Sequence, residues 1–126
     1  MNTAEVLAKT VGLLHAGDLE GFLGMLDDNC VIMKDEGEVI ARGMDQLKVF
    51  YAQIFAEQSD MEVDIPAQFE AGNVAAVYEI NKNMNVNGVH KDVDSVWIYK
   101  VMNNKITYMH VFSPDEAASE DIASFA

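Results

Sequence analysis

Residues 15–32 read HAGDLEGFLGMLDDNCVI. Gly17 is a helix stop, because a residue without a Cβ enters the left-handed conformation that closes a helix at little cost. Asp18 follows at once as an N-cap, its carboxylate placed to accept from the free N–H groups of the next first turn. Leu19, Phe22, Leu23 and Leu26 give that second helix one apolar face. Asp27-Asp28-Asn29 reads as its acidic stop, and the run from Cys30 starts a strand. Two helices joined at Gly-Asp and passing into a strand point to an α+β chain with its helices first.

The pattern extends in both directions. Asn2, with Glu5 three residues on, is a capping box, and Val6, Leu7, Val11 and Leu14 follow at helical spacing. Residues 30–35 are expected as a short strand, Glu36-Gly37 as its turn and residues 39–42 as a second strand. Gly43 precedes the strongest helix, with Leu47, Phe50, Tyr51, Ile54 and Phe55 on one stripe. After Ser59-Asp60 the period becomes two, in Met61, Val63 and Ile65, and Pro66 marks a bulge or an edge. Ala71-Gly72-Asn73 is a turn before a long strand over 74–85. Asn87-Gly88 is a hairpin signal, residues 89–102 a further strand, Asn103-Asn104 a second hairpin turn, and 106–113 a last strand ended by Pro114. Residues 1–114 are expected to be one domain, and 115–126 an acidic C-terminal tail.

With 126 residues, 50% hydrophobic and 23% charged, the composition is that of one globular domain with its own core. The formal net charge of −13 comes from 21 acidic and 8 basic residues with no basic cluster. That excludes the cationic footprint of a nucleic-acid site and disfavours anionic membrane surfaces. The expected partner is a small neutral, apolar or cationic molecule. No apolar run reaches the roughly 20 residues of a bilayer span, and no basic leader with a cleavage site is evident. Cys30 is the only cysteine, so no intrachain disulfide forms, and a cytoplasmic location is expected.

Alternation in the last three strands divides their residues between two faces. Tyr78, Ile80, Val96, Ile98, Tyr108 and Phe112 fall on one; Val77, Trp97, Tyr99, Val101, Met109 and Val111 fall on the other. Both are apolar, so both should be covered, and three helices can cover only one. A homodimer packed through the outer sheet face is the expectation.

This order of elements, with the strings LLHAGDLEGFLGMLDDNCVI, IARGMDQLKVFYAQIF, AGNVAAVYEI and VWIYKVMNNKITYMHVF, resembles the nuclear transport factor 2-like superfamily over roughly residues 3–113. The nearest branches are the SnoaL-type polyketide cyclases and the ketosteroid isomerase-like proteins. The resemblance implies a cystatin-like cone, a curved antiparallel sheet wrapped around three N-terminal helices and enclosing an apolar pocket. It implies further that Tyr51 sits where the isomerases hold a pocket tyrosine. Their principal oxyanion tyrosine falls near Thr10, their general-base aspartate near Met33 and their protonated aspartic acid near Trp97. The last-strand acid of the cyclases falls near Val111. None of those acids is present in this sequence.

Two other polar groups are candidates. Asp35 lies two residues beyond Met33 and would share its face on an unbroken strand, where an apolar setting would raise its pKa and make it a base; a solvated turn is the alternative. Glu79, Asn81 and Asn83 alternate on the face that the resemblance makes concave, unless the strand opens to solvent or a bulge shifts its register. Trp97 and Tyr99, with Phe55 and Met109, would form an aromatic and thioether wall suited to a flat ligand. His90, Asp92 and Asp94 alternate as metal ligands can, but equally as a solvated edge does, and no metal site is expected. Nucleophile elbows, phosphate loops and paired cysteines are absent, so no cofactor is expected either.

The resulting expectation is a dimeric SnoaL-like pocket protein for a small, mostly apolar molecule. Any chemistry would be metal-free acid–base work of the isomerase, cyclase or hydratase type. Asp35 or Glu79 would be the base, Tyr51 and Asn81 its hydrogen-bonding partners, and Met33, Phe55, Trp97, Tyr99, Met109 and Val111 the binding wall. The alternative is a non-catalytic ligand-binding or protein-interaction module built on the same cone.

Overall fold

The computed structural model describes residues 1–112, so the expected tail over 115–126 lies outside the described residues. Side-chain caps fix the first two helices. Asn2 and Glu5 close the capping box of α1 (Thr3–His15). At its other end Gly17, with φ at 69°, bonds back to Leu14, and Asp18 bonds back to Leu13, the paired closure that a left-handed glycine permits. The Asp18 carboxylate then caps α2 (Leu19–Gly24) by accepting from Gly21.

β1 spans Leu26–Lys34 and therefore contains Asp27-Asp28-Asn29, the residues expected to stand between helix and strand. Leu26 pairs with Ile106, and the register then jumps to Val31 opposite Tyr108, so the polar triplet is a bulge inside the strand. β2 (Glu38–Arg42), α3 (Met44–Glu57), β3 (Glu62–Ala71), β4 (Val74–Val86), β5 (Val89–Met102) and β6 (Lys105–Phe112) complete the described chain. Both central residues of the hairpin turns, Asn87-Gly88 and Asn103-Asn104, have positive φ, as turns matched to the strand twist require.

The six strands form one sheet in the order β2-β1-β6-β5-β4-β3. Neighbours are antiparallel except β1 and β6, which run parallel. The sheet is curved and unclosed, and register shifts in β3, between Asp64 and Ala67, and in β4, between Asn81 and Met84, bend its far side. Pro66 sits within the first of these on the edge strand, where a missing N–H costs no ladder bond.

All three helices lie against the concave face, where Val6, Leu26, Cys30, Ile32, Leu47, Val77 and Ile106 are almost wholly buried. Among the described residues the convex face carries no helix. A row of Phe69, Ala76, Ile98, His110 and Met33 crosses it from β3 to β1, and Phe69 is 70% exposed. Among the described residues no helix is long and apolar enough to cross a membrane.

Candidate functional site

The concave face is built by strict alternation. On β4, Val77 and Glu79 point inward, and on β5 their register partners Trp97 and Ser95 do the same. Met109 and Val111 of β6 stand opposite Tyr99 and Trp97. These side chains, with Tyr51, Phe50 and Ile54 of α3 and Leu7, Thr10 and Leu14 of α1, enclose a cavity of about 290 Å³. Its walls are mostly apolar, and no lysine or arginine is among the described residues that line it.

One carboxyl group enters this wall. Glu79 is 6% exposed, and its Oε1 accepts from the Tyr99 hydroxyl at 2.8 Å. Burial pushes the Glu79 carboxyl up to about 7, against the opposing pull of the Tyr99 hydrogen bond. Every buried polar side-chain atom among the described residues has a partner. Oε2 of Glu79, which has none, therefore opens onto the cavity. Tyr99 itself is raised well above the usual tyrosine range, first by burial and then by the adjacent Glu79. Its ring stacks on Trp97 at 5.7 Å and 10°.

Tyr51 reaches the same chamber from α3. Its hydroxyl donates to the Met109 sulfur at 3.6 Å, a weak acceptor that a ligand oxygen would displace. Burial raises its pKa, with the charges of Cys30 and Glu79 adding to the effect, so the O–H stays intact at neutral pH. Ser95 accepts from the Trp97 indole at 3.1 Å and keeps its own proton available. A carboxyl that changes charge near neutrality and two hydroxyl donors thus share one mostly apolar chamber. That set can take a proton from carbon or oxygen and stabilise the anion formed.

Of the residues singled out from sequence, Glu79, Tyr51, Asn81, Trp97, Tyr99, Met109 and Val111 line the cavity. Three do not. Asp35 follows the end of β1 in an exposed turn with φ at 49°, and its backbone bonds to Val111 and His110. It never shares Met33's face because the strand has ended. Met33 itself pairs with His110 and receives the Tyr108 hydroxyl at 3.5 Å on the convex side, while Ile32 points inward. Phe55 packs edge-on against Phe22 at 5.4 Å, and Phe50 and Ile54 take the cavity side of α3.

The alternation also fails at Asn83, whose φ of 59° sits in the β4 bulge; Met84 takes the inward position instead. His90 and Asp92 are spent on the backbone of Asn83, and Asp94 accepts from Tyr78 on the outer face. Among the described residues no group of His, Cys, Asp and Glu is arranged to hold a metal. Cys30 is wholly buried with its thiol pushed up to about 12, first by burial and then by the charge of Asp27, and is unreactive there. Ser95 and Gln58 line the cavity without having been expected. Period two from Tyr99 through Trp97 would have reached Ser95. Gln58 lies past the last helical turn, where no pattern points to it.

A model of the SnoaL-like domain family matches residues 7–109. None of the curated proteins compared with the chain matches it. Among solved structures, SalBIII, an epoxide hydrolase/cyclase-like enzyme in pyran ring formation in salinomycin, superposes with a TM-score of 0.78 at 17% identity, over 89% of this chain and 90% of its own. An uncharacterised cystatin-fold protein from Novosphingobium aromaticivorans gives 0.77 at 17% identity, over 88% and 97%. RV0760c from Mycobacterium tuberculosis, in complex with estradiol-17beta-hemisuccinate, gives 0.72 at 20% identity, over 88% and 93%. At these identities the superpositions establish a shared fold.

Proposed function

This chain belongs to the SnoaL-like domain family, and from that premise we propose that it binds a small, mostly apolar molecule and moves a proton on it without a metal. Glu79 is the acid–base group, Tyr51 and Ser95 donate hydrogen bonds to the oxygen on which charge develops, and Tyr99 holds the carboxyl in position. The observation that carries this reading is a nearly buried carboxyl, raised to about 7, with one oxygen free on an apolar cavity. A carboxyl held there by structure alone would be a standing cost to the fold, whereas a group poised near the working pH is what proton transfer from carbon requires.

The test is deuterium exchange of the α-protons of 2-tetralone, followed by proton NMR. The protein should accelerate exchange, and Glu79→Gln should slow the catalysed rate by about 10²–10⁴-fold. Exchange no faster than buffer, or unchanged in the variant, removes the enzyme reading.

A second reading, a binding or interaction module, is favoured by the convex face, which no helix of the described residues covers. We infer that this face joins two copies of the chain in a homodimer. Its support is the contiguous row from Phe69 to Met33. Sedimentation at micromolar concentration should give a dimer for the parent and a monomer for Ile98→Asp; a monomeric parent would refute it. With its single buried thiol suited to a reducing compartment, we assign the protein to the cytoplasm.

A further inference from the structure

The cavity is graded along β4. Val77 and Glu79 are buried, Asn81 is half-buried and Asn83 exposed. The same gradient runs along β5 from Ser95 through Val93 to Lys91, and on α3 buried Tyr51 gives way to half-buried Ile54, with half-buried Gln58 just past the helix end. The closed end is therefore the Glu79 chamber. The mouth lies where Asn81, Met84, Gln58 and Met61 converge.

The polar side chains at that mouth are not equivalent. Gln58 is fully engaged, donating to the Asn85 carbonyl at 2.8 Å and accepting from the Asn85 N–H at 2.7 Å. Gln68 donates to Glu70 at 3.2 Å. Asn81 lines the cavity, yet among the described residues its side-chain amide makes no hydrogen bond. Two residues along a strand rising about 3.3 Å each put it roughly 7 Å from Glu79 on the same face. Between the two lie only the apolar walls.

We infer that the cavity takes an uncharged ring compound with two polar ends, its reacting carbonyl in the Glu79 chamber and a second oxygen about 7 Å away on the amide of Asn81. This rests on the proton-transfer reading above and adds the class of molecule. The volume of about 290 Å³ is close to ten times the share of one liquid water molecule, which fits roughly ten to fifteen non-hydrogen atoms. Two fused rings satisfy both limits. An anion is disfavoured, because among the described residues the cavity offers a carboxyl and no cation. An amide can give or accept a hydrogen bond, so Asn81 serves either a hydroxyl or a carbonyl at the outer end. Asn81 is on this account a specificity residue: it selects the molecule and fixes which way round it enters.

Trp97 is the only tryptophan and lines the cavity, so its fluorescence reports occupancy directly. The experiment titrates 2-tetralone and 6-hydroxy-2-tetralone, whose two oxygens lie at opposite ends of a bicycle, into the parent, Asn81→Leu and Asn81→Ala. The expected result is about tenfold tighter binding of the hydroxylated ketone to the parent, the scale of one well-made buried hydrogen bond, with the preference falling to within about twofold in both variants. The preference is a ratio read within each protein, so a general loss of affinity in a variant does not imitate it. Equal binding of the two ketones by the parent, or a preference that survives in both variants, overturns this inference alone. Binding of neither overturns it together with the reading it rests on.

Discussion

The two faces of the sheet carry the same pair of residue types in opposite settings. Inside, Tyr99 of β5 donates to Glu79 of β4 at 2.8 Å. Outside, Tyr78 of β4 donates to Asp94 of β5 at 3.1 Å. Both are tyrosine–carboxylate pairs across the same two strands, with donor and acceptor strands exchanged and the side of the sheet reversed. The inner pair is walled in by the helices and by Trp97, which drives its carboxyl up to about 7. The outer pair stands on a face that no helix of the described residues covers, and Asp94 there is only half-buried. Function on this fold is therefore made by what covers a strand as much as by which residues it carries.

The sharpest way to break that comparison is to remove matched bulk from each face. Ile32, wholly buried on the inner side, should cost about 2–5 kcal/mol of stability as Ile32→Ala, the range for a core cavity that relaxes only in part. Ile98 lies half-exposed outside, and Ile98→Ala should cost about 1 kcal/mol or less in the isolated chain. Urea denaturation at low protein concentration measures both. Equal losses would mean that the outer face is as tightly packed as the inner, against the difference in burial between Ile32 and Ile98.

Next in size is the pH dependence of stability. The Glu79 pKa is higher in the folded chain than in the unfolded one, so the folded state holds the extra proton. Its contribution is fully present below the unfolded value, 4.5 for the free side chain, and is lost as pH rises to about 7. That loss is of the order of 3 kcal/mol, and thermal melts between pH 4.5 and 7 should fall less steeply for Glu79→Gln than for the parent. Parallel slopes for the parent and Glu79→Gln would remove the desolvated carboxyl from the account.

The smallest effect separates the hydrogen bond from burial. Tyr99 donates to the charged form of Glu79 and so pulls its pKa down. Tyr99→Phe should move the midpoint of the exchange-rate profile upward in pH, by about a unit or less, the scale of one net hydrogen bond. A downward shift would mean that burial is not the leading cause.

Much of this architecture is written in local chemistry. Asn2 with Glu5, Gly17 with Asp18, and the two asparagine-led turns each fix an element end through bonds a few residues long. Alternation then carries Val77, Glu79, Trp97 and Tyr99 to the correct side without any knowledge of partners. What local pattern does not reveal depends on contacts distant in sequence. Asp27-Asp28-Asn29 looks like a stop because its strand partner, β6, lies at the far end of the described chain. Met33 stands one residue off the inward position that Ile32 holds, and Asp35 lies past the strand end in a left-handed turn at a residue other than glycine. Phe55 shares an apolar stripe with Phe50 and Ile54, and the stripe is wider than the cavity it borders.

The parallel pairing of β1 with β6 has a consequence for how the chain is made. Leu26 cannot find Ile106 until nearly all of the described chain exists, and closing so long a loop comes before any reward from the contact. During synthesis α1, α2 and the β1–β2 hairpin emerge first, with apolar faces that have nothing to close on. The antiparallel meander from β3 to β6 can form among near neighbours, and only then does the first third of the chain dock onto it. A nascent chain halted before β6 therefore lacks the strand that β1 pairs with, and leaves exposed the walls that later become the cavity, the kind of apolar surface that invites aggregation.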